Sequence, residues 1–124
     1  MSTVDDLKRI LNELSSEFEV DISAIVSRSG VPIAWNIPDD VHVETFATLS
    51  ATLLGASEVV YTGLSRGTPK RVIVQSEDGT LVAVGLSKKA LLVAMGSKDD
   101  DAIYDAVEDA AKKIKNVLRS EASI

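Results

Sequence analysis

Residues 70–96, KRVIVQSEDGTLVAVGLSKKALLVAMG, contain three short runs that are apolar at consecutive positions: Val72-Ile73-Val74, Leu81-Val82-Ala83-Val84 and Leu91-Leu92-Val93-Ala94-Met95. Successive side chains of a strand point to opposite faces of its sheet, so a strand with one wet face alternates apolar and polar residues. These runs do not alternate, and they predict three strands whose two faces are both covered. The links between them are short. Glu77-Asp78-Gly79 holds an Asp-Gly step, a strong hairpin signal between β-rich runs, and Ser87-Lys88-Lys89 turns the chain again. The strands, expected over Lys70 to Ser76, Thr80 to Leu86 and Ala90 to Met95, are therefore antiparallel.

Working outward, the loop from Leu64 to Pro69 follows a long helix expected from about Val43 to Thr62, which Gly63 is placed to stop. Pro38-Asp39-Asp40 breaks the chain before that helix and offers it acidic caps. Further upstream, Ile22 to Arg28 and Pro32 to Ile37 read as a hairpin around Ser29-Gly30, with a proline that suits a strand start or an edge. A first helix is capped by Thr3, carries Asp5 and Asp6 where the macrodipole favours carboxylates, and ends near Glu17. Its apolar residues Leu7, Ile10, Leu11, Leu14 and Phe18 recur at helical spacing. Downstream, Asp99, Asp100 and Asp101 open a last helix that closes with Lys112, Lys113, Lys115 and Arg119. Ile103, Val107, Ala110, Ile114 and Val117 make its apolar stripe.

Three helices are then available to cover two sheet faces. The expected fold class is α/β (α+β): a three-layer α/β/α sandwich around a mostly antiparallel five-stranded sheet, in the order α-β-β-α-β-β-β-α, with helices one and three on one face and helix two on the other. Residues 1–124 are expected to form a single domain, without repeat, linker or low-complexity tract.

Thirteen Lys and Arg against nineteen Asp and Glu leave a formal charge of -6. Such a balance repels phosphate backbones and anionic lipid, so neither nucleic acid nor a membrane surface is an expected partner. There is no cysteine, which removes disulfides and thiolate metal sites and fits the cytoplasm. Met1 to Asp6 show no basic flank or continuous apolar stretch, and no run of about 18 apolar residues appears, so neither secretion nor membrane insertion is expected.

The motifs that carry chemistry are weak. Gly63-Leu64-Ser65-Arg66-Gly67 matches the nucleophile elbow G-x-S-x-G, but that motif needs a strand leading in and a helix leading out, the reverse of the order here, and the sole histidine, His42, lies upstream of Ser65 instead of last. No phosphate-cradling glycine loop is present. Asp99-Asp100-Asp101 is contiguous, unlike the alternating carboxylates of a calcium loop, and one histidine without cysteine makes a zinc site improbable. Trp35 is read as strand packing before ligand or partner anchor. No catalytic residue, cofactor or metal is expected.

Helix two is the anomalous element, with only two charges. Counting about 100° per residue, Val43, Phe46, Ala47, Leu49, Leu53, Leu54, Val60, Tyr61 and Leu64 span about half the circumference and form the expected core face. The other side holds Thr45, Thr48, Thr52, Gly55, Val59, Thr62 and Gly63, with Ala56 at the margin. Small uncharged side chains let a second helix approach closely and lose little when water leaves. This side is a candidate self-association or partner surface.

The chain resembles the roadblock family, related to the dynein light chain of that name, over almost its whole length. The resemblance is carried by the leading amphipathic helix, the turn Ser29-Gly30-Val31-Pro32-Ile33-Ala34, the Ala/Thr/Leu-rich helix Phe46 to Tyr61, and Gly79 before Leu81-Val82-Ala83-Val84. It is closer to short archaeal and bacterial members than to the dynein subunit. It implies a homodimer in which third strands join the sheets while second helices pair, forming a platform for a small Ras-like GTPase or a scaffolded complex. The candidate dimer or partner interface is then Thr45, Thr48, Leu49, Thr52, Ala56 and Val59 on the helix, with Val72 and Val74 on the third strand. The expected function is a non-catalytic protein-interaction module; the alternative is a profilin-like small-molecule sensor with a pocket between sheet and helices.

Overall fold

The computed structural model describes residues 3–97 and 101–122. Eight elements follow in order: α1 (Thr3–Phe18), β1 (Val20–Ser27), β2 (Pro32–Asn36), α2 (Val43–Gly63), β3 (Arg71–Ser76), β4 (Gly79–Gly85), β5 (Ala90–Gly96) and α3 (Asp101–Ala122). Every expected helix and strand is present. Asp101 stands in the first turn of α3 and Arg119 in its last; Asp99 and Asp100 lie outside the described residues.

The five strands form one sheet in the order β2-β1-β5-β4-β3, and every neighbouring pair is antiparallel. On one face α1 and α3 pack through Leu7, Ile10, Leu11, Leu14, Ile103, Val107, Ala110 and Ile114 onto Val20, Ile25, Val82, Val84, Leu92 and Ala94. On the other, Ala47, Ala51 and Leu54 of α2 cover Ala24, Val26, Ala83, Leu91 and Val93. The three-layer arrangement, with α1 and α3 together and α2 opposite, is the one expected.

Four local expectations are corrected. Phe18 belongs to no core stripe and is 45% exposed, because α1 stops there and Glu19, at φ 56, turns the chain directly into β1. Asp39 and Asp40 do not cap α2; its N-cap is His42. The Asp-Gly step is not the centre of its hairpin: the turn is Glu77-Asp78, held by the Asp78 N–H on Ser76 Oγ at 3.2 Å, and Gly79 already belongs to β4. A Cβ on Gly79 would stand 3.0 Å from the Gly96 carbonyl oxygen, so glycine serves close approach there, not the turn.

The fourth correction concerns β3. Its burial is shallow throughout, and Ile73 and Val74 are 37% and 46% exposed. The strand lies at the sheet edge, where α3 reaches it through Tyr104 and Glu108: Glu108 sits 3.5 Å from Arg71, and the Tyr104 hydroxyl accepts from Gln75 at 3.1 Å. Helices do not cover both faces of this strand.

Candidate interaction surface

The seat of α2 on the sheet is narrow. Its buried residues are Ala47, Ser50, Ala51 and Leu54, one seam at helical spacing in which three of four side chains are small. Small residues bring the helix axis close to the sheet, and that close seat turns the bulky residues on either side outward. The broad core face expected from periodicity is therefore overturned: Leu49 is 62%, Val60 56%, Tyr61 44% and Leu64 67% exposed.

Opposite the seam stand Thr45, Leu49, Thr52 and Ala56, flanked by Thr48 and Val59, and all six are exposed. The Thr52 hydroxyl donates to the Thr48 carbonyl at 2.9 Å and the Ser57 hydroxyl to Leu53 at 2.9 Å. A hydroxyl bonded back onto its own helix needs no water partner, so removing solvent from this side costs little. Val72 and Val74 lie opposite Ala83 and Leu81, residues that pack with α2, so all eight predicted positions lie on the α2 side of the sheet. The outer edge of β3 pairs with no other strand among the described residues, leaving a row of backbone donors and acceptors open.

Two anchors hold this surface in place. Gly30, at φ 95, lets the β1–β2 turn pass beneath α2; a Cβ there would come within 3.1 Å of Thr48 Cα. Arg28 joins three elements, pairing with Glu58 of α2 through Nη1 while Nε and Nη2 donate to the Ser87 carbonyl at 3.2 and 3.0 Å. Periodicity carries no signal for either contact.

At the head of β3 a cleft of about 930 Å³ opens, lined by Arg28, Lys70, Lys88 and Lys115 among basic residues and by Glu58 and Glu108. Its charged rim differs from the apolar enclosure a small-molecule sensor would use. Ser65 and His42 stand at opposite ends of α2, a helix about 30 Å long at ~1.5 Å per residue, so the one histidine of the chain is out of reach of Ser65. No cluster of three or more metal-ligating side chains occurs among the described residues, and no described helix is long and apolar enough to cross a membrane. Trp35 is 43% exposed on edge strand β2.

The family model of the Roadblock/LC7 domain matches residues 6–102. The chain belongs to the Roadblock/LC7 family. An uncharacterized relative from Methanocaldococcus jannaschii, MJ1340, is 26% identical to this Roadblock/LC7 chain over 110 residues, covering 88% of it and 96% of the relative. Among solved structures, Myxococcus xanthus MglB superposes with a TM-score of 0.90 at 10% identity, covering 97% of this chain and 92% of MglB. A structure described as MglB with tetrameric arrangement gives 0.87 at 18% identity, covering 97% and 93%. At such identities the likeness is one of fold, and the Roadblock/LC7 fold is the one the quoted residues implied.

Proposed function

We propose that this Roadblock/LC7 domain is a non-catalytic interaction module that works as a homodimer. The α2 helices of two copies pack through Thr45, Thr48, Leu49, Thr52, Ala56 and Val59, while β3 strands carrying Val72 and Val74 meet edge to edge. The paired α2 surface is then the platform for a small Ras-like GTPase or a larger assembly, the partner class implied by the roadblock resemblance. The observation that carries the reading is the uncharged, outward side of α2, with Leu49 and Val59 at 62% and 72% exposure beside an open sheet edge. Such a surface gains most from a second protein surface, since apolar area and strand edges are both left in water by one copy. The tetrameric arrangement described for one MglB supports self-association.

Sedimentation at micromolar concentration tests the dimer: the wild-type chain should run at twice its 13.2 kDa mass, and Thr52→Arg or Ala56→Arg should halve it with an unchanged circular dichroism spectrum. A wild-type monomer at high micromolar concentration, or variants of unchanged mass, would count decisively against it. Affinity purification from the native cell should then recover a GTPase or defined assembly that Thr52→Arg loses.

A further inference from the structure

The two ends of β3 carry opposite charge. Lys70 and Arg71 stand at its head, next to the cleft that Lys88 and Lys115 also line. Glu77 and Asp78 form the hairpin turn at its tail. Lys70, Lys88, Lys115, Glu77 and Asp78 are exposed, and none has an ion-pair partner among the described residues. Arg28 is neutralised by Glu58, so the cleft keeps a surplus of ammonium groups. One copy cannot join the ends of its own β3, because six strand residues at ~3.3 Å each separate them by roughly 20 Å.

We infer that the Glu77-Asp78 turn of one copy docks against Lys70 and Arg71 of a second copy, an electrostatic latch that sets the register of the β3 pairing; this rests on the dimer proposed above. Two copies that keep both α2 helices on the same side of a continuous sheet are related by a twofold axis normal to the sheet. A β3 residue near the strand's middle then faces its own copy. With Val74 at that position, Val72 meets Ser76, Arg71, already 3.5 Å from Glu108, meets Glu77, and the unpaired Lys70 meets Asp78, so opposite charges coincide at both ends. With Ile73 there instead, Lys70 meets Ser76 and the two carboxylates fall beside Thr68 and Pro69. Charge thus selects the Val74-centred register. The selection matters because each copy carries a formal charge of -6, and opposite charges placed locally against one another offset the mean repulsion of two such copies.

Subunit exchange between two variants tests the latch. A Lys70→Glu chain paired with itself sets carboxylate against carboxylate at both ends, and an Asp78→Lys chain paired with itself sets ammonium against ammonium. Mixed, the two chains have opposite signs at every contact, which is specificity by repulsion of the wrong pair. Native mass spectrometry of an equimolar, equilibrated mixture at low salt should show about nine-tenths heterodimer, drifting toward the statistical half as ~1 M salt screens the charges. Each variant's own circular dichroism spectrum and melting curve check that these exposed substitutions leave the fold intact. A statistical half at low salt, with stable dimers of both variants, would overturn the latch while leaving the dimer standing. Monomers in every sample, wild type included, would overturn the dimer and the latch with it.

Discussion

Ser65 shows how far a single backbone angle constrains what a residue can do. It lies at φ 55, in the left-handed region that side chains other than glycine rarely enter. Its N–H donates to the Thr62 carbonyl at 3.1 Å and the next N–H, of Arg66, to the Tyr61 carbonyl at 2.9 Å. Those two bonds are a Schellman cap, which closes a helix by satisfying its last carbonyls, and the left-handed position in it is normally glycine. Gly63, which the sequence marked as the stop, is the last helical residue, two positions too early for that role. The strain at Ser65 is therefore accounted for as a capping cost. Replacing Ser65 with glycine relieves the Cβ clash, worth roughly 1–2 kcal/mol, against a gain in unfolded-state entropy worth about 0.4–1 kcal/mol. Ser65→Gly should stabilise the fold by roughly 0.5–1 kcal/mol in urea denaturation; a destabilised variant would mean that the hydroxyl does something this cap does not explain.

At the scale of one element, α2 separates two kinds of leucine that periodicity alone could not tell apart. Leu54 is fully buried and Leu49 is 62% exposed. Leu54→Ala should cost about 2–5 kcal/mol because its cavity lies between helix and sheet, while Leu49→Ala should leave unfolding of the separated subunit within about 0.5 kcal/mol. Chemical denaturation in the Thr52→Arg background, designed to remove the proposed association, measures both; equal losses would place the helix on a different seam. Helical spacing groups residues that share a side, but α2 has apolar residues on more than one side, and the choice fell to Ala47, Ser50 and Ala51, whose small size admits close approach. The stripes of α1 and α3 were legible because charged residues occupy the rest of each circumference. The apolar run Val72-Ile73-Val74 reads alike for a central and an edge strand, since edge position follows from pairing order along the whole sheet. The Arg28–Glu58 contact spans thirty residues and leaves no local pattern. The small uncharged side of α2 was readable, because the absence of charge is a local property.

For the whole molecule, the sheet is asymmetric in how its edges are finished. The β2 edge begins at Pro32, which has no N–H to offer an incoming strand, and Asn36 there donates to Asn12 of α1 at 3.0 Å. The β3 edge has no proline between Arg71 and Ser76, α3 touches it only through Tyr104 and Glu108, and Ile73 and Val74 stand partly in water. One edge is thus finished within the chain and the other is open, so the association proposed above uses one place in the fold and should be thermodynamically linked to folding. A dimer whose subunits separate on unfolding gains stability with concentration by mass action, about 2.7 kcal/mol per dimer for a hundredfold increase. Spread over the unfolding entropy of two chains of this length, ~2.1 cal/mol/K per residue, that raises the melting temperature by about 5 °C. Melting followed by circular dichroism from low to high micromolar concentration should show this rise for the wild-type chain, and Thr52→Arg should abolish it. A melting temperature that stays constant over the range, in a chain that sediments as a monomer, would mean that the open edge and the uncharged side of α2 are simply solvated.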